Sequence, residues 1–258
     1  MVGKVVPMTL AKRHYSLLSI VSLLVLWQLA AIAFASPMLP GPPKVFGFIA
    51  NELESGEMLN HLGLTLWRVA AAYIIAIVVG SAIGIAMGRS RLVDHVLDPW
   101  LIVLLNIPAL VVIILAYIWA GLTEAAAISA VAINKIPNVV VTLREGARAL
   151  DPNLNEMARA FRMSRSDMLR HVTLPQLQPY FAAASRSGLA LIWKIVLVVE
   201  LLGRSNGVGF QLHLYFQLFD VTGILGYTIA FVTTMLLIEY LLVQPLEQRA
   251  TRWRSQPA

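Results

Sequence analysis

No cysteine occurs anywhere in the 258 residues. Disulfide frameworks, thiolate metal sites and cysteine nucleophiles are therefore excluded. Charge is scarce too: Asp, Glu, Lys and Arg together make up 13% of the chain, where a soluble domain carries about a quarter. No stretch fits G-x-x-x-x-G-K-[ST], so any ATP-driven work must draw its energy from another polypeptide. The histidines (His14, His61, His95, His171 and His213) lie at segment ends or in loops, and no aspartate pair falls inside an apolar run. The matched catalytic set that an intramembrane enzyme needs is thus missing.

Apolar residues, in contrast, fill 58% of the positions, and mean hydropathy is +0.74. The surroundings that accept this much apolar surface are a bilayer. From Leu17 to Ala35 the chain is almost continuously apolar over 19 positions, about 28 Å of helix. Lys12 and Arg13 before this run, and Ala33-Phe34-Ala35 at its end, also fit a signal peptide. Signal cores usually stop at about 7–15 residues, so a retained first helix is expected. Further apolar segments run over about 62–87, 96–119, 125–143, 180–202 and 223–243. Pro108 interrupts the third span and Pro137 the fourth; such breaks are tolerated where neighbours or a cavity satisfy the freed carbonyls.

The basic residues orient these spans. With the N-terminus inside, Lys4, Lys12, Arg13, Arg89, Arg91, the group from Arg144 through Arg170, and Arg249, Arg252 and Arg254 place 14 of 20 basic residues on the cytoplasmic side. Only Lys44 and Arg204 fall in opposite loops, near Glu52, Glu54 and Glu57. The expected fold is an all-α membrane protein of six transmembrane helices, both termini cytoplasmic, forming a single transmembrane domain over 1–258. Within it, 1–60 would be an N-terminal helix and periplasmic lead-in, 61–250 the core, and 151–175 a cytoplasmic two-helix loop between helices 4 and 5. Ala76, Gly80, Gly84 and Gly88 form a small-residue row on the second helix. Packing within one subunit and contact between two subunits both remain open for it.

The loop has internal signals. Asp151-Pro152 is a helix start, with a capping carboxylate and proline at the first helical position. Leu154, Ala158 and Phe161 then share a face, and Ser164 with Asp167 reads as a second capping box opening a helix that ends before Pro175. A charged connection of this length needs a reason where other connections are short.

On these residues the chain resembles the permeases of binding-protein-dependent ABC importers. Their cytoplasmic signature reads E-A-A, three residues, G, nine residues, I-x-L-P. Here it is Glu156-Met157-Ala158, then Arg162 at the glycine position, then Val172-Thr173-Leu174-Pro175. A left-handed residue at the glycine position would cost a non-glycine about 1 kcal/mol or more, so the turn is expected to differ locally. The chain is similar to the branch serving nitrate, bicarbonate, taurine and alkanesulfonates in further places. These are Leu39-Pro40-Gly41-Pro42, Thr65-Leu66-Trp67-Arg68-Val69, Gly88-Arg89-Ser90-Arg91, Ile107-Pro108, and the seven-spaced Arg186, Trp193 and Glu200. Lys135-Ile136-Pro137 departs from that branch, which commonly has an aromatic before the proline.

The resemblance implies a bacterial inner-membrane importer subunit that is not itself an enzyme. ATP and Mg would sit on a pair of separate ATPase subunits. Docking would use Leu154, Met157, Ala158 and Phe161 as apolar contacts, with Glu156 and Arg159 or Arg162 at the rim and Leu174 and Pro175 closing the motif. A solute-binding protein and a second permease copy, as a homodimer, complete the expected assembly. Candidates for the translocation pathway are the polar groups in apolar segments, Asn106, Asn134, Lys135, Lys194 and Glu200, with Trp193 beside them. For the two lysines, an anion pathway competes with structural pairing and with snorkelling; Trp193 also reads as packing, and Arg68 and Arg186 as inter-helix ties. The cargo expected is a small anion such as nitrate, a sulfonate or a carboxylate. The alternative is an ion-coupled secondary transporter, which would carry its own ion site and usually an inverted repeat.

Overall fold

A computed structural model describes residues 10–245, without the side chains of 10–14, 16, 17, 159, 165, 187, 190 and 242. Every element among the described residues is helical. The side chains of Lys4, Lys12, Arg13, Arg249, Arg252 and Arg254, on which part of the orientation argument rests, lie outside the described set. The chain divides into two compact units, Met1–Leu59 with Gln211–Ala230, and Asn60–Phe210 with Phe231–Ala258.

The first unit contains α1 (Leu10–Phe34) and α2 (Pro42–Glu54), and takes in most of α10 (Val208–Gln217) and the first half of α11 (Val221–Ile238). Gly41 caps α2 in an extended conformation, with Pro42 at the start. Proline belongs there because the missing N–H would have had no helical partner. The Trp27 indole N–H donates to the Pro40 carbonyl at 3.0 Å, tying α1 to this lead-in. Phe48 packs edge-on against Tyr215 and Tyr227, whose rings are tilted to one another. The buried Tyr227 hydroxyl donates to Glu52 Oε2 at 2.7 Å.

The second unit is built around α6 (Glu124–Arg148), which packs along α9 (Leu174–Gly203). The glycine row of α3 (Glu57–Arg89) lies against α6 of the same chain. A Cβ on Gly84 would stand 2.6 Å from the Val140 carbonyl oxygen, and one on Gly88 2.6 Å from that of Arg144. Packing within one subunit is therefore the use these glycines serve. No side chain fits between the backbones.

The third expected span is not one straight helix. α4 (Arg91–Asn106) and α5 (Ala109–Ala120) meet at 98° across Ile107-Pro108. Pro108 supplies no N–H and disfavours helix at Ile107, which is extended with ψ 126. Pro137, by contrast, is absorbed inside a continuous α6. The described residues hold three helices long and apolar enough to cross a membrane (α3, α6 and Val221–Leu241), or up to five if each bent pair is one span. Leu18–Phe34 is a shorter apolar helix.

Candidate functional site

Two polar constructions stand at opposite ends of the second unit, separated by the length of α9. The first is the loop after α6. Its helix α7 covers Pro152–Ala160, as the Asp151-Pro152 signal implies. The Asp151 carboxylate accepts from the Asn153 N–H at 2.8 Å. α7 ends with Met163 N–H donating to the Ala158 carbonyl at 3.0 Å, the long bond of a Schellman closure. That closure needs a left-handed residue just past the helix, and Arg162 occupies it with φ 49. The turn is therefore the one glycine would make, and the expected local departure is absent. The other bonds of the turn hold the arginine in this conformation. Arg162→Gly is expected to slow hydrogen exchange of the α7 amides by about fivefold, the equivalent of about 1 kcal/mol.

Ser164 then caps α8 (Arg165–Met168), accepting from Asp167 N–H at 3.1 Å and donating to the Asp167 carboxylate at 2.6 Å. The first bond is that of the expected capping box, while the Asp167 carboxylate returns to the Ser164 hydroxyl. The expected stop before Pro175 is not found: α8 runs through a π turn, Leu169–Thr173, directly into α9. Pro175 and Pro179 bring no N–H groups to this stretch, and a wider turn absorbs the mismatch while Leu174 N–H reaches the Leu169 carbonyl. The buried Thr173 hydroxyl has no hydrogen-bond partner there.

The docking candidates divide by exposure. Leu154, Met157, Phe161 and Leu174 present exposed apolar surface, Phe161 at 77%. Glu156 and Arg162 are exposed as well, and Pro175 is half-buried. Ala158 is buried within its own chain, so it shapes α7 from below rather than meeting a partner. The side chain of Arg159 lies outside the described residues. Glu156 borders a cleft of about 350 Å³ lined also by Arg89, Ala147, Leu150, Pro152, Asn155 and Met168. Behind it, Arg144 Nη1 meets Asp98 Oδ1 at 2.5 Å and Arg148 Nη2 meets Asp94 Oδ2 at 2.5 Å, pinning α4 to α6.

The second construction is a buried charge clasp. Arg68 on α3 is 1% exposed, and its guanidinium is fully engaged. Nη1 donates to Glu200 Oε1 at 2.6 Å and to the Asn206 carbonyl at 2.9 Å. Nε and Nη2 reach Glu124 at 2.9 and 2.6 Å, and Nη2 also bonds the Asn206 side chain. Glu200 is fully buried, and its other oxygen accepts from Thr65 at 2.9 Å and from Gly209 N–H at 2.8 Å. Arg204 adds a bond to Glu124 at 2.7 Å and one to the Leu122 carbonyl at 2.5 Å. His61 Nδ1 accepts from Gly207 N–H at 2.9 Å. Gly207 has φ 105, and a Cβ on it would strike the Glu200 carboxyl group. The clasp sews the segment 204–210 onto the ends of α3, α6 and α9.

Of the pathway candidates, Glu200 is thus committed to the clasp. Trp193 packs against an apolar cluster that includes Val69, Ala130, Ile192 and Val196. Asn134 and Asn106 donate to carbonyls one turn back on their own helices, Ala130 at 2.9 Å and Ile102 at 2.7 Å. Lys194 is exposed on α9 between the exposed Leu191 and Val198. Lys135 is buried in α6. The clasp as a unit escaped the sequence reading, as did the Arg144–Asp98 and Arg148–Asp94 pairs; an arginine in an otherwise apolar run (Arg68) was the available signal. Among the described residues no group of three or more His, Asp or Glu side chains is placed to hold a metal ion.

Residues 76–244 match the family described as binding-protein-dependent transport system inner membrane component. Among curated proteins, the putative aliphatic sulfonates transport permease protein SsuC of Bacillus subtilis (strain 168) is 28% identical over 86% of this chain and 80% of its own length. The taurine transport system permease protein TauC of Escherichia coli (strain K12) is 27% identical over 92% and 88%. The bicarbonate transport system permease protein CmpB of Synechococcus elongatus is 30% identical over 75% and 74%. Among solved structures, an amino acid ABC transporter superposes with a TM-score of 0.63 at 22% identity, covering 78% of this chain and 98% of that one. The inward-facing MetNI methionine ABC transporter gives 0.59 at 17% identity, covering 74% and 93%. These two likenesses concern the fold. Carried by the match over 76–244, the chain belongs to the binding-protein-dependent transport system inner membrane components, the permeases of ABC importers.

Proposed function

We propose that this permease forms one half of an import pathway for a small anion, a sulfonate, nitrate or a carboxylate such as bicarbonate, driven by a separate ATPase pair. The observation that carries this reading is α7, a capped helix between α6 and α8 with Leu154 and Met157 exposed along it and Phe161 exposed at its end. Exposed apolar residues on a short helix fit a groove on a partner, and the anion class follows the relatives named for sulfonates, taurine and bicarbonate. In this reading six spans cross the membrane with both termini inside, the bent α4–α5 pair counting as one. Two copies face each other, and a solute-binding protein delivers cargo to the side of the clasp. ATP and Mg bind to the ATPase subunits. Closure of that pair draws the two α7 helices together and turns the pathway outward.

The experiment is uptake into proteoliposomes containing the permease together with an ATPase and a solute-binding protein that co-purify with it. Uptake that requires all three and ATP supports the reading. Uptake by the permease alone, driven by an ion gradient, would replace it with the secondary-transporter alternative.

A further inference from the structure

Lys135 lies near the middle of α6, 11 residues from Glu124 and 13 from Arg148, about 16 and 20 Å along the axis. It is 2% exposed. Charged side chains at such depth pair with one another, bond backbone carbonyls or face a water-filled cavity. Among the described residues the first two are absent for Lys135. The arginines of α6 have carboxylate partners, Arg144 with Asp98 and Arg148 with Asp94, and Arg68 is held by two. Among the described residues, the ammonium of Lys135 has neither an ion pair nor a hydrogen bond.

Its place is nonetheless built. The side chain lies across α9 at Gly188, where a Cβ would stand 2.8 Å from Lys135 Cε and 3.4 Å from Nζ. Any other residue at 188 would displace the lysine stem. Nearby along α3, Ser81 follows Gly80, which abuts the Ile136 carbonyl and Val139, and the buried Ser81 hydroxyl also lacks a partner. Among the described residues, the Lys135 ammonium and the Ser81 hydroxyl are thus two polar groups without a partner beside the same α3–α6 contact. Just beyond the notch, α9 carries the exposed Leu191, Lys194 and Val198, uncovered in the single chain.

We propose that Lys135, seated in the Gly188 notch, is a mid-membrane binding site for a singly charged small anion, which supplies the counter-charge that the protein omits. This rests on the importer reading above and deepens it. A fixed cation without a carboxylate neighbour attracts an anion that has shed part of its hydration, and the absence of a tight partner lets the anion leave again. Neutral solutes gain nothing from such a site. Lys194, farther along α9 and exposed, would extend the positive potential toward the clasp side.

The test uses the full-length permease with its ATPase in nanodiscs, following the thermal unfolding midpoint. Sodium nitrate, bicarbonate and methanesulfonate are the probes, against gluconate at equal ionic strength. For the wild type at least one probe is expected to raise the midpoint by a few degrees, in a saturable manner. Lys135→Met should start from a higher midpoint, because an uncompensated buried charge is gone. Its response to the same anion should need concentrations at least about tenfold greater. Gly188→Ala, which keeps the lysine but fills the notch, should lose the response as well. A lower starting midpoint in Lys135→Met would make the lysine a structural strut and overturn the site, as would an equal response in both proteins or no response to any probe. ATP hydrolysis by the Lys135→Met complex separates the two proposals. Retained hydrolysis with a lost anion response leaves the importer reading standing and supports the site. An unchanged anion response overturns the site alone, whatever the hydrolysis shows.

Discussion

Arg68→Met is expected to destabilise the protein by about 3–5 kcal/mol, because it strands a buried carboxylate. Glu200 is fully buried, and Arg68 is the cation that faces it. Thr65 and Gly209 N–H remain as donors, but neither carries charge. For a chain of this size the loss corresponds to a fall in unfolding midpoint of roughly 10 °C. Glu124 is affected less, since Arg204 still holds it at 2.7 Å. Glu200→Gln should cost less than Arg68→Met, because a neutral amide tolerates burial better than an unpaired anion. The double replacement Arg68→Met with Glu200→Leu should recover a large part of the loss, since an apolar pair can substitute for a buried ion pair. Thermal unfolding of the purified variants in one detergent measures all three. An Arg68→Met midpoint within a degree or two of the wild type would show that the clasp holds nothing together.

Phe161→Ala is expected to weaken ATPase binding by about 30-fold or more while leaving the permease fold intact. A large aromatic that is 77% exposed contributes little to its own chain, and a docking anchor is worth about 2 kcal/mol or more when truncated. Trp119, 78% exposed at the end of α5, is the matched control. Trp119→Ala should leave ATPase affinity unchanged. Titration of the ATPase onto nanodisc-held permease, with the unfolding midpoint recorded in parallel, separates docking from folding. Equal affinity for Phe161→Ala and the wild type would remove this face of α7 from the interface.

What could be read from the sequence follows from how local each signal is. The capping residues Asp151 and Ser164 act within three positions of themselves, and the structure forms the bonds they imply. The glycine row of α3 was legible as a close approach, although its partner, α6, could only come from the fold. Arg162 misled because its cost was visible and the bonds that offset it were not. The turn closes through the Ala158 carbonyl, and that geometry imposes φ 49 on whatever residue stands there. Pro175 misled in the same way, since a proline can end a helix or enter a π turn that runs on. The clasp was least legible of all. Its members lie at 61–68, 124 and 200–209, and nothing in their spacing announces that α3, α6 and α9 end side by side. Glu200, read alone, looked like a candidate for the pathway; only with Arg68 in place does its charge have an owner.

The absence of cysteine makes the central claim directly testable, because a single introduced thiol is the only one in the chain. Glu156→Cys, on exposed α7, should cross-link to the ATPase subunit in assembled complexes when the thiol carries a maleimide-linked photoreactive benzophenone. Ser205→Cys, exposed in the clasp segment at the far end of α9, should not. Cross-linking at 156 alone is the result expected if α7 receives the motor. Cross-linking at 205 and none at 156 would contradict the account, placing the ATPase on the wrong side of the protein.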